Sequence, residues 1–298
     1  MKAIKAFIER HPLLSYYALA FAISWGVILV AVGRGPGGFS ATPKQFQMDV
    51  PYAVPAMILG PSVAGILMTG LLYGRAGLRE FRSRLLKWRV GARWYAVALL
   101  AAPLSMMVVL LALSLVSPEY LPRAFIAGDR ASLLLMGIVV GVTAGVFEEL
   151  GWTGFAVPTL FGLRYGVLGT GLVVGVLWGA WHLPINYWAS GVTAGELSLS
   201  VFASAWLSSI LVGSLVAYRV LMVWAYECTG SLLEAILMHV SLAASTFVLT
   251  PPLGGVPYCI VGFAYAAALW VIVAAIALAQ GGHLSRGAAR RRAAGEKG

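Results

Sequence analysis

Residues 131–157 read ASLLLMGIVVGVTAGVFEELGWTGFAV. At about 1.5 Å of rise per residue, a helix of this length crosses a hydrocarbon layer of about 30 Å. It carries no basic residue, but it does carry two adjacent carboxylates, Glu148 and Glu149. An apolar run predicts a transmembrane helix, and a pair of glutamates inside it predicts a purpose, because a charge at that depth costs at least a few kcal/mol.

Working outward, seven further apolar stretches of similar length stand near 13–33, 51–73, 94–116, 171–190, 199–224, 231–249 and 257–280. The chain is 60% hydrophobic and 11% charged, so a bilayer and not a core must receive most of its apolar surface. Strands would leave backbone groups unsatisfied in lipid, which selects an all-α fold: a polytopic transmembrane bundle of about eight helices. The stretch 13–33 follows Lys2, Lys5 and Arg10 but is long for a signal peptide and lacks a small-residue cleavage site, so it is read as a retained helix. No internal repeat and no linker-like tract divides the chain, and residues 1–298 read as one membrane domain. Cys228 and Cys259 have neither metal-ligand spacing nor a disulfide framework around them.

The net charge of +10 is distributed unevenly. Arg75, Arg79, Arg82, Arg84, Lys87, Arg89 and Arg93 fill one loop, and Arg286, Arg290, Arg291, Arg292 and Lys297 crowd the segment 281–298. With eight spans these fall on one side with Lys2, Lys5, Arg10, Arg164 and Arg219, leaving Arg34, Lys44, Arg123 and Arg130 opposite. The positive-inside rule then makes both termini cytoplasmic, with 281–298 a basic cytoplasmic tail, in what reads as the cytoplasmic (inner) membrane. Basic clusters so placed report topology and contact with anionic lipid, not binding of nucleic acid. Oligomeric state is not legible.

Few residues break the apolar pattern. Beside Glu148 and Glu149 there are His182, in WGAWHLP, and His239, in LMHVSLAAS. Glu234 lies about one turn from the expected start of its helix, where a carboxylate reaches water. If the fourth helix ends just before Pro158, the fifth starts near Gly171 with 158–170 at the interface, and the seventh starts near Ser231, then Glu148, His182 and His239 sit roughly 12–16 Å from the cytoplasmic side. Isolated polar residues often only glue helices together, but two carboxylates and two histidines at one level suit the activation of water. A buried carboxylate can act as base, one histidine can orient the proton, and a second can donate to an oxyanion. Glu148, His182 and His239 are also a zinc-hydrolase ligand set, so a metal-dependent mechanism and a metal-free glutamate mechanism both stand.

With these residues in place, the sequence resembles the CAAX protease and bacteriocin-processing (CPBP) family, intramembrane proteases related to the type II CAAX prenyl endopeptidases. EELGWTGF, from Glu148, is similar to the family's EExxxR motif; Trp178 to His182 is similar to FxxxH with Trp for Phe; and His239 matches the start of HxxxN or HxxxD. The resemblance covers about 131–250 and implies a membrane-embedded endopeptidase acting on membrane-associated protein or peptide. By that resemblance Glu148 and His182 activate water, His239 helps form the oxyanion site, and Glu149 belongs to the same catalytic set. The motif arginine is Thr153 here and the Asn or Asp of the third motif is Ala243, with Asn186 and Arg164 the nearby candidates to compensate. Lacking a cation, Glu149 is expected to sit in the membrane as the neutral acid. A descendant that has lost catalysis and serves as a binding, chaperone or immunity module is the competing reading, and a proton-coupled transporter a third.

Overall fold

The computed structural model describes residues 2–253, 255–281 and 284, so the expected basic tail lies almost wholly outside the described residues. In chain order the helices are α1 (Lys2–Arg10), α2 (Pro12–Arg34), α3 (Pro43–Leu85), α4 (Ala92–Ser114), α5 (Arg123–Ile126), α6 (Arg130–Gly151), α7 (Val157–Gly162), α8 (Val167–Trp181), α9 (Leu183–Ala189), α10 (Leu199–Val212), α11 (Ser214–Thr229), α12 (Leu232–Leu249) and α13 (Gly255–Ala279). Among the described residues there is no strand. Seven helical segments are long and apolar enough to cross a membrane, and an eighth is added if α8 and α9 count as one bent span. The chain is an integral multi-pass membrane protein. No disulfide joins Cys228 and Cys259.

The second span, expected over 51–73, is extended at both ends into Pro43–Leu85 with a kink at Gly74, and three further elements differ from the sequence expectation, each for a local reason. The fourth span does not stop before Pro158: α6 passes through a π-helical turn, Trp152–Ala156, into α7, and the span runs to Gly162. Proline has no N–H to give the ladder, and a wide turn just ahead of it accommodates the ring. The fifth span starts earlier, at Val167, and is broken at His182 by a 43° bend where Pro184 enters. The sixth is interrupted at Gly213, whose extended backbone separates α10 from α11.

In lipid, helices gain little from burying one leucine against another, so their association depends on close approach. Two glycine ladders supply it. Gly137, Gly141 and Gly145 recur every fourth residue along α6 and face α12; a Cβ at Gly141 would lie 2.6 Å from the Val240 carbonyl oxygen, and one at Gly145 2.8 Å from the Val240 nitrogen. On α8, Gly171 and Gly175 face α11, where a Cβ would lie 2.7 Å from Val220 Cα and 2.9 Å from Val216 Cα. The opposite flank of α6, with Leu134, Leu135, Ile138, Val139 and Val142, stays exposed, as a lipid-facing surface does. The ladders press α12 and α11 onto the helices that carry the glutamates and the tryptophan–histidine pair.

Candidate active site

Glu149 lies in the last turn of α6, fully buried at 0% exposure. Its Oε1 accepts from His239 Nδ1 at 2.7 Å and from Arg219 Nη2 at 2.8 Å, and its Oε2 accepts from Arg219 Nη1 at 2.7 Å. The Thr153 hydroxyl, one turn along, donates to the same Oε2, and Arg219 Nη1 also reaches that hydroxyl at 3.4 Å. A bidentate guanidinium, a histidine and a hydroxyl therefore converge on one carboxylate, the strongest class of hydrogen bond a carboxylate accepts. The expected neutral, unpartnered Glu149 is overturned. Its cation comes from α11, since Arg219, expected among the loop and span-end charges, is itself 0% exposed inside the bundle. Neither proposed substitute takes part: Arg164 and Asn186 are both exposed. The signal for Arg219 was available, because a charge inside the run VAYRVLMVW breaks the apolar pattern just as Glu148 does.

Glu148 faces α8. Its Oε2 accepts from the Trp178 indole Nε1 at 2.7 Å and from Trp152 Nε1 at 3.3 Å. The π-turn carries Trp152 back over Glu148 and Thr153 back over Glu149, and all five of its residues are buried. Trp178 has a second hold on the site: its carbonyl oxygen lies 2.8 Å from His182 Nδ1. Its ring also meets His239 edge-on, with centroids 4.9 Å apart, and lies 4.2 Å beneath the Arg219 guanidinium. Trp thus does what Phe could not, giving Glu148 a hydrogen bond from inside the membrane.

The proton positions on the two histidines follow from their partners. A carbonyl and an arginine-paired carboxylate can only accept, so both Nδ1 atoms carry hydrogen and each Nε2 is the nitrogen left for a substrate. His182 stands at the break between α8 and α9, half-buried where Glu148 and His239 are buried, so the bend opens the site at that point. Ala243 lies one turn beyond His239, half-buried, and supplies no side-chain donor.

The expected position of Glu234 is also corrected. It is 1% exposed, and neither carboxylate oxygen has a hydrogen-bond partner among the described residues. Close packing of α12 keeps it from water even in the first turn.

The possible zinc set of Glu148, His182 and His239 was tested against this geometry. Among the described residues no three His, Cys, Asp or Glu side chains are grouped to hold a metal ion. Both indole N–H donors go to one Glu148 oxygen, Oε2, and the Arg219 guanidinium lies over Trp178, so the positive groups already present suit an anion better than a further cation. The set does not fit a metal in this arrangement.

Comparison with known families adds one finding. Residues 130–245 match the family described as type II CAAX prenyl endopeptidase Rce1-like, a segment that runs from the start of α6 to within α12 and includes every side chain in the cluster just described. No curated protein matches the chain.

Proposed function

From a chain that through residues 130–245 belongs to the type II CAAX prenyl endopeptidase Rce1-like family, we propose that it is an intramembrane endopeptidase, hydrolysing a peptide bond in a membrane-associated protein or peptide. The observation that carries this reading is the gathering of Glu148, His182 and His239 about Trp178, which bonds the first through its indole and the second through its carbonyl while touching the ring of the third. Such pre-positioning is what acid and base groups require to act on a bound water.

In this reading Glu148 takes a proton from water as the water oxygen attacks the scissile carbonyl carbon. His182 Nε2, at the open bend, orients that water and afterwards helps return the proton to the leaving amine. His239, its Nδ1–H tied to Glu149, turns Nε2 toward the substrate, and with a proton on both ring nitrogens, as an imidazolium beside the Glu149 carboxylate, it donates Nε2–H to the tetrahedral oxyanion. Every step runs on the chain's own side chains. The orientation proposed with it puts both termini, the end of α3 with Arg82 and the loop with Arg89 on the cytoplasmic face of the inner membrane.

The test is reconstitution in liposomes followed by mass spectrometry of candidate membrane peptides. Glu148→Gln, His182→Ala and His239→Ala should each lower cleavage by at least about two orders of magnitude, as losing a base or an oxyanion donor does. Folded variants that cleave at the wild-type rate would take catalysis away from this cluster, and a wild-type protein that cleaves none of the peptides would favour the binding-module reading, to which Ala243 points. An impermeant thiol reagent applied to intact cells should miss a cysteine placed at Arg82 and label one placed in 34–50; the reverse pattern inverts the orientation.

A further inference from the structure

We propose that Arg219 is a positioning residue that does from α11 what an arginine at position 153 would do from the helix of Glu149 itself, and that the two positions are interchangeable holders of a single guanidinium. The inference rests on the peptidase reading for its catalytic consequence but not for its geometry. Position 153 faces the carboxylate: the Thr153 hydroxyl donates to Glu149 Oε2 and sits 3.4 Å from Arg219 Nη1, so the two side chains arrive at the same oxygen from different helices. The backbone of α11 stands close enough for this because Gly175 leaves no side chain in the way; a Cβ there would lie 3.3 Å from Arg219 Cβ.

From that place the guanidinium braces both glutamates. It binds both oxygens of Glu149, keeping the carboxylate an acceptor that orients His239 through Nδ1. The guanidinium carbon stands 4.2 Å over the Trp178 ring, whose indole N–H holds Glu148. A lysine could give the charge, but it could give neither the planar two-point grip nor the stacking. The arrangement also accounts for Thr153: with the guanidinium entering from α11, a short hydroxyl fits where a second long side chain would collide.

The experiment uses the full chain in liposomes with its histidines labelled at the ring nitrogens, the His239 signal being assigned by its loss in His239→Gln. In Arg219→Leu the His239 Nδ1–H signal should lose the shift that marks its bond to a carboxylate, and kcat should fall at least about a hundredfold with KM little changed. Arg219→Lys should leave an intermediate signal. Adding Thr153→Arg to Arg219→Leu should restore the signal and bring kcat back to within about tenfold of wild type. Should Arg219→Leu fail to fold, recovery of folded protein by Thr153→Arg is the same rescue, and its absence overturns the proposal. An unchanged His239 signal in Arg219→Leu, or a double variant no nearer wild type than the single, overturns it equally. A wild-type protein that cleaves none of the candidate peptides while the His239 signal follows the exchange would sink the peptidase reading and leave the placement of Arg219 standing.

Discussion

Two carboxylates are equally hidden in this bundle and could hardly be less alike. Glu149 receives hydrogen bonds from Arg219, His239 and Thr153, with both oxygens engaged, whereas Glu234, on the helix that bears His239, has no partner on either oxygen. Glu234 begins as the fourth residue of Ser231-Leu232-Leu233-Glu234, a spacing suited to a reciprocal cap, and its own N–H does bond the Ser231 hydroxyl. The Ser231 N–H that its carboxylate could have accepted from bonds Thr229 instead, leaving the carboxylate buried without a return. Burial by itself therefore marks only a cost. What distinguishes a working carboxylate is the convergence of donors from separate helices, and that is visible only when the helices are assembled.

The widest gap between the two should appear on removing the charge. Glu149→Leu leaves Arg219 buried and uncompensated, and breaking a buried pair from one side costs about 3–5 kcal/mol. Thermal unfolding in detergent should show that loss, and adding Arg219→Leu should return much of it, because the stranded charge goes with the arginine. A Glu149→Leu protein as stable as wild type would mean that the pair carries no weight in the bundle.

This contrast also explains what the sequence could and could not reveal. The spans were legible because about twenty apolar residues in a row leave few alternatives, and Glu148, Glu149, His182 and His239 were legible because each breaks such a run. Arg219 breaks one too, but with the sixth span expected to end near 224 it was counted with the cytoplasmic-side charges, whereas α11 runs on to Thr229 and holds it inside the bundle. Glu234 was misplaced for the same reason, since counting along one helix says nothing of how tightly its neighbours close over it. The bend at His182 follows from Pro184, a local signal, but that it opens the site depends on the arrangement around it. Pairing between helices is a property of approach, and in this chain approach is set by the glycine ladders.

The ladders give the second test. At Gly145 a Cβ would already be 2.8 Å from the Val240 nitrogen, so Gly145→Val must push α12, and His239 with it, away from Glu149. The expected cost is about 1–3 kcal/mol, the range for overfilling a packed contact, with cleavage falling alongside. Gly162, which has nothing within 4 Å of such a Cβ, is the control: Gly162→Ala should leave both stability and cleavage unchanged. Equal losses at the two positions would show that side-chain volume at the helix contact is not what places His239.

Trp178→Phe is a smaller intervention on the partnered side of the comparison. The phenyl ring can still lie beneath Arg219, but the indole N–H to Glu148 is gone, leaving that carboxylate the longer bond from Trp152. A hydrogen bond to a charged group contributes about 1.5–3 kcal/mol, and with Trp152 remaining the lower end of that range is expected. Cleavage should drop by roughly tenfold, the effect of about 1.4 kcal/mol. A variant with wild-type kcat would mean that the ring matters here and its N–H does not.

The smallest effect is expected at Glu234. No donor among the described residues stabilises a charge at either oxygen, so replacing the carboxylate with the neutral, nearly isosteric amide removes a liability and breaks no bond. Glu234→Gln should therefore change stability by between zero and about 1 kcal/mol in the favourable direction, and Glu234→Leu, which has no polar atoms to satisfy, should do at least as well. Neither should alter cleavage, because among the described residues no hydrogen bond ties the Glu234 carboxylate to the side chains that hold Glu148, His182 or His239. The measurement is the unfolding midpoint of each variant beside that of Glu149→Leu in the same detergent. A destabilisation at Glu234 approaching that at Glu149 would mean that its carboxylate acquires a partner in the membrane, and the division between a carboxylate that works and one that is merely enclosed would then fail at its simplest example.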